Sequence, residues 1–119
     1  VAYNGLSANV VVTQRRDETV TVYDPLTLAP LGQTFTGPSP VGLAFSASGG
    51  LLKLTVANSD RFSIPSLPSA YVYDVVGSQL FYNRTVPTGQ FPREVVASPD
   101  GIIVMITNAT SQTVQVNKI

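Results

Sequence analysis

TGQFPREVVASPDGIIVMITN, Thr88–Asn108, decides how the rest of the chain is read. A Thr-Gly turn leads into the apolar run Arg93–Ala97. Ser98-Pro99-Asp100-Gly101 then supplies a tight turn, since Pro presets φ, Asp bonds the backbone two residues on and Gly accepts φ > 0. A second apolar run, Ile102–Thr107, ends in Thr-Asn. Short runs rich in Val and Ile between turn residues read as strands, so this stretch is a hairpin. A worn copy, TGPSPVGLAFSASGGLLKLTVAN, lies upstream at Thr36–Asn58.

Working outward, the same punctuation predicts strands at Ala8–Thr13, Thr19–Tyr23, Leu31–Phe35, Val41–Phe45, Leu51–Ala57, Ala70–Val75, Gln79–Val86, Arg93–Ala97, Ile102–Thr107 and Thr113–Ile119. Thr19–Tyr23 (TVTVY) alternates with period two, the mark of a half-buried strand. Tyr3-Asn4-Gly5 reads as a turn, and no window carries a helical period. The copies keep register. Tyr23-Asp24 and Tyr73-Asp74 are 50 residues apart; Gly37, Pro40 and Ser46 lie 52 before Gly89, Pro92 and Ser98. A repeat of about 40–50 residues containing four short strands is the signature of a propeller blade.

Composition narrows the chemistry. The 119 residues are 44% hydrophobic and only 12% charged, with seven basic and seven acidic side chains. Zero net charge opposes nucleic acid as a partner, because phosphate binding needs a clustered basic surface. No apolar run approaches the roughly 18 residues of a membrane-spanning helix. The chain has no Cys and no His, which removes disulfides, thiolate chemistry, the commonest general base and the commonest metal ligand. No cofactor and no metal site is expected.

Pro40–Gly49 (PVGLAFSASG), Pro92–Gly101 (PREVVASPDG), Thr55–Asn58 (TVAN), Met105–Asn108 (MITN) and Thr19–Asp24 (TVTVYD) together resemble the YVTN repeat of lactonase-like, YncE-type seven-bladed propellers. The likeness extends over nearly the whole chain. Glu94 departs from it where Gly42 fits, and Gln14 stands in place of the motif's Asn. The resemblance implies an all-β propeller of four-stranded antiparallel blades, about two and a half of them in this chain. Residues 1–36 would supply strands b, c and d of one blade, 37–86 a complete blade, and 87–119 strands a–c of the last, without its outer strand. In such rings the chain's own N-terminus often supplies that strand, which implies the C-terminal part of a longer propeller. The chain opens on Val1 with no signal-peptide pattern, and the expectation is a processed or longer polypeptide. Two and a half blades would leave large apolar faces in water, so the remaining blades or a companion chain are expected partners.

In an antiparallel a–b–c–d blade the b–c and d–a connections share one end. That end collects Arg15, Arg16, Asp17, Glu18, Asp60, Arg61, Arg93 and Glu94. With Phe62, and leaving out Glu18, these form the expected binding face for a small molecule or protein. Arg93 and Glu94, at the start of an inner strand, are the catalytic candidates, with a structural ion pair between them as the plainer reading. The loop after Asn58 is six residues longer than its counterparts. It carries Phe62, Ile64, Pro65, Leu67 and Pro68, and is expected to fold over a neighbouring blade. Asn83-Arg84-Thr85 and Asn108-Ala109-Thr110 are glycosylation sequons. Asn83 fits an outer strand, and Asn108 also fits the repeat motif. These features point to an extracellular or cell-surface binding module. The alternative, implied by the resemblance alone, is a lactonase-like ring-opening enzyme whose catalytic residues lie mainly in other blades.

Overall fold

The structure is a computed structural model that describes residues 1–4 and 9–119. Among the described residues there are eleven strands and no helix. They are β1 (Ala2–Asn4), β2 (Asn9–Gln14), β3 (Thr19–Tyr23), β4 (Pro30–Phe35), β5 (Pro40–Ser48), β6 (Leu51–Asn58), β7 (Ser69–Val76), β8 (Gln79–Pro87), β9 (Pro92–Ala97), β10 (Ile103–Asn108) and β11 (Thr113–Lys118). Three antiparallel sheets follow in chain order, β1–β4, β5–β8 and β9–β11, and within each sheet neighbours in sequence are neighbours in space. Short turns between consecutive strands dictate this, since a tight turn can only return the chain antiparallel. The architecture is all-β and propeller-like.

One expectation changes. Tyr3 and Asn4 do not turn: Ala2, Tyr3 and Asn4 pair with Val11, Val10 and Asn9, giving the first sheet its own inner strand. Three residues suffice because Ala2 packs against the aliphatic cluster beneath it. The connection to β2 falls at 5–8, outside the described residues. The chain therefore holds two four-stranded blades and one three-stranded blade, rather than a first blade of strands b, c and d.

The core lies between sheets. Val11, Val20 and Val22 of the first meet Leu43, Leu54, Val56 and Tyr73 of the second. Ala57 and Ala70 on the second sheet's other face meet Val95, Val104 and Ile106 of the third. Side chains alternate faces along a strand, so each blade must bury both faces. The three repeats differ at one matching pair. Val11 opposite Val22 and Thr55 opposite Val72 are buried, whereas the matching pair on the third sheet, Met105 and Val116, is 38% and 62% exposed.

The repeated Gly and Asn also have a packing reason. A Cβ on Gly37 would sit 2.8 Å from the Asn58 amide, and one on Gly89 would sit 2.8 Å from Asn108. The glycine at the d–a corner thus leaves room for the asparagine that ends strand b of the same blade. In the first sheet Gln14 takes the asparagine's place, accepting from the Thr19 and Thr21 hydroxyls as Asn108 donates to Thr113 and Gln115.

Candidate functional site

The b–c and d–a connections meet at one end of the sheets through a repeated backbone bond. Ser59 N–H donates to Ser39 C=O at 2.9 Å, and Ala109 N–H donates to Phe91 C=O at 2.8 Å. Thr36 N–H likewise donates to Glu18 C=O. Among the described residues, five of the six non-glycine residues with positive φ stand here: Glu18, Ser39, Asp60, Phe91 and Gln112. Such conformations are costly and persist only when the surroundings over-determine them. The cross-loop bonds do that.

Four arginine–aromatic contacts run across this end. The Arg15 guanidinium lies 4.9 Å from the centre of the Phe62 ring, and Arg61 lies 5.7 Å from the same ring. Arg61 is also 4.4 Å from the Phe91 ring, and Arg93 is 5.3 Å from it. The order Arg15–Phe62–Arg61–Phe91–Arg93 therefore links the β2–β3 turn, the β6–β7 loop and the β8–β9 corner, three sheets in one ladder. The three arginines are exposed. The one ion pair among the described residues, Lys53–Asp74, is elsewhere.

The expected face is thus assembled in part. Arg15, Arg61, Phe62 and Arg93 come together, while Arg16 and Asp17 are exposed in the β2–β3 turn beside the ladder. Asp60 does not belong to the surface. It is 5% exposed; its carboxylate accepts from Leu67 N–H at 2.8 Å and its carbonyl from the Ser66 hydroxyl at 2.7 Å, so it organises its own loop. Arg93 and Glu94 do not pair, because successive residues of a strand point to opposite faces. Arg93 turns to Phe91, while Glu94 is exposed and its N–H donates to the Thr107 hydroxyl. Both border an open groove of about 230 Å³ lined also by Val41, Gly42, Leu43 and Val95.

The long loop does not fold down over a blade. Ile64 is fully exposed and Leu67 largely so. Phe62 reaches Arg15 of the first sheet and Arg61 reaches Phe91 in the β8–β9 corner. Asn108 is 2% exposed beneath Gly89 and leaves no room for a glycan, which removes it as an acceptor; Asn83 is exposed and its amide donates to Asp74. Phe91 is the residue the sequence did not single out. Its signal is an aromatic in the corner before Pro92, where the earlier copy has Ser39.

At the opposite end the carboxylates are used up locally. Asp24 accepts from the Leu26 and Thr27 amides, and Asp100 from the Ser98 hydroxyl and Ile102 N–H. The Ser98 bond holds the Asp100 carboxyl below the usual range, with the Ile102 amide adding to it. No group of three or more His, Cys, Asp or Glu able to hold a metal occurs among the described residues. Among the described residues no helix is long and apolar enough to cross a membrane.

No family model matches the chain, and neither does any curated protein. Its fold is similar to that of a chain in a crystal structure of a mitotic checkpoint complex, with a TM-score of 0.79 at 15% identity. All of this chain is matched, and it spans 35% of the solved chain. At that identity the likeness is one of fold, and the fold is a β-propeller.

Proposed function

We propose that the chain forms part of a propeller that acts as a binding module, and that its ligand is a protein segment held on the b–c/d–a loop end. The observation that carries this reading is the Arg–Phe ladder, which joins three sheets at that end. Interfaces favour arginine and aromatic anchors on a rigid support. The loops that carry the ladder are fixed by backbone bonds rather than left free.

The exposed Met105–Val116 face supports a second element of the proposal. A further blade, from the same polypeptide or from a companion chain, covers it. The paired Gly37–Asn58 and Gly89–Asn108 contacts support a YVTN-type repeat as the family, with the seven-bladed ring that this implies. Asn83, exposed on β8, would carry a glycan if the protein is secreted or displayed on a cell surface.

Selection from a displayed random-peptide library tests the reading. Wild-type protein and a variant altered at the opposite end, Asp24→Ser, are expected to enrich the same peptides. A loop-end variant, Phe62→Ala with Phe91→Ala, is expected to lose them while keeping its far-ultraviolet dichroism. Undiminished enrichment by the loop-end variant would sink the assignment.

A further inference from the structure

Resting on that reading, we infer that the ladder selects an acidic peptide, with carboxylates spaced to meet the guanidinium groups of Arg15, Arg61 and Arg93. Each of these groups is exposed, comes from a different sheet and lies against a phenylalanine ring. A guanidinium held over a ring by cation–π attraction keeps its N–H donors for a partner. Those donors fit a carboxylate with two parallel bonds, and such charge-assisted pairs are the strong ones.

The arrangement also calls for anions. Arg15 and Arg61 share the Phe62 ring, and Arg61 and Arg93 share Phe91, so like charges are held near one another without a carboxylate in ion-pair contact among the described residues. Guanidinium groups that share a ring lie on the order of 10 Å apart or less. An extended peptide covers that in about three residues at ~3.3 Å each. Acidic side chains at every second position, which share one face of an extended strand, match the ladder.

A nucleic acid fits less well. Net charge is zero, and a continuous polyanion needs an extended basic surface rather than three guanidinium groups. Single-strand binding also needs free ring faces for bases, whereas each of these rings already carries two guanidinium groups.

The test is a fluorescence-anisotropy titration of the protein with a labelled peptide bearing Glu at every second position in a Ser/Gly background. Its twin carries Gln at those positions. The Glu peptide is expected to bind at least roughly tenfold more tightly, as loss of charged bonds implies. Arg61→Lys keeps the charge but loses the fork and the stacking, and is expected to weaken binding several-fold. Arg84→Lys, in the middle of β8 and away from the loop end, is expected to leave it unchanged.

Equal binding of the Glu and Gln peptides overturns the inference, and so does wild-type affinity in Arg61→Lys. An oligonucleotide that binds more tightly than the Glu peptide overturns the choice of a peptide. If library selection yields loop-end binders without acidic residues, the binding-module reading stands and only the acidic specificity falls.

Discussion

The two interfaces between sheets solve one packing problem with different materials. Between the first and second sheets the filling is bulk: Val11, Val20 and Val22 against Leu43, Leu54, Val56 and Tyr73. Two hydroxyls cross it: Tyr73 donates to Phe35 C=O at 2.7 Å and Thr13 to Val41 C=O at 3.3 Å. Between the second and third sheets the second sheet's buried side chains are mostly small or polar, Ala57 and Ala70 with Ser46, Thr55 and Lys53 around Val72 on the same face, and backbone comes close as well. A Cβ on Gly42 would lie 2.1 Å from Arg93 C=O, and one on Gly101 would lie 2.4 Å from Ala47 C=O. The first interface has one such approach too, where a Cβ on Gly32 would lie 2.6 Å from Ser78 C=O, so the balance differs: lost volume weighs more on the first interface and added volume more on the second.

Substitutions should expose that opposition. Leu54→Ala removes a wholly buried side chain from the first interface and is expected to cost about 3 kcal/mol in urea unfolding. Gly42→Ala adds one methyl at the second interface, against backbone that cannot rotate away. It is expected to cost about 2 kcal/mol, where adding a methyl to an open site costs little. If Gly42→Ala unfolds with the wild-type midpoint, the close approach is not what holds the third sheet. Tyr73→Phe keeps the ring and loses the bond to Phe35, for about 1 kcal/mol.

The smallest effect is that of pH, and it reaches the two interfaces from opposite directions. Burial, with Tyr71 and Tyr82 beside it, pushes the Tyr73 phenol well above the usual tyrosine value. Its contribution is complete below the unfolded value of about 10 and is lost as pH climbs beyond it. The Lys53 bond, with help from Asn83, holds the Asp74 carboxyl below the usual range. Its contribution is present above an unfolded value of about 3.9 and is lost as pH falls. Asp74 is partly exposed, so this arm stays under about 1 kcal/mol. Unfolding curves across pH should lose the alkaline limb in Tyr73→Phe and part of the acid limb in Asp74→Asn; Asp100 keeps the remainder. Unchanged limbs in both variants would mean that neither group separates the interfaces.

Strand order, repeat register and the shared end of the b–c and d–a loops were legible because they rest on local signals: period two, turn residues and fixed offsets. β1 was not, since three residues cannot display a period and Tyr3-Asn4-Gly5 has turn composition. Asp60 was sorted with the surface charges because nothing local announces that Leu67, seven residues on, will donate to its carboxylate. The Asn108 sequon is a true match to its pattern and yet sits beneath Gly89, since a three-residue pattern carries no burial. Arginines on the loop end could be collected from topology. Their alternation with Phe62 and Phe91 could not, because it joins residues from three repeats that no single stretch brings together.

Glu94 occupies on β9 the place that Gly42 holds on β5, two residues past the matching prolines at 40 and 92. Gly42 lets the next inner strand come to backbone contact, and this sets the tight end of the wedge between the second and third blades. A glutamate side chain at the same place on β9 forbids an equally close approach there. The two inner strands therefore differ in kind: one accepts a neighbouring backbone, and the other presents an exposed carboxylate.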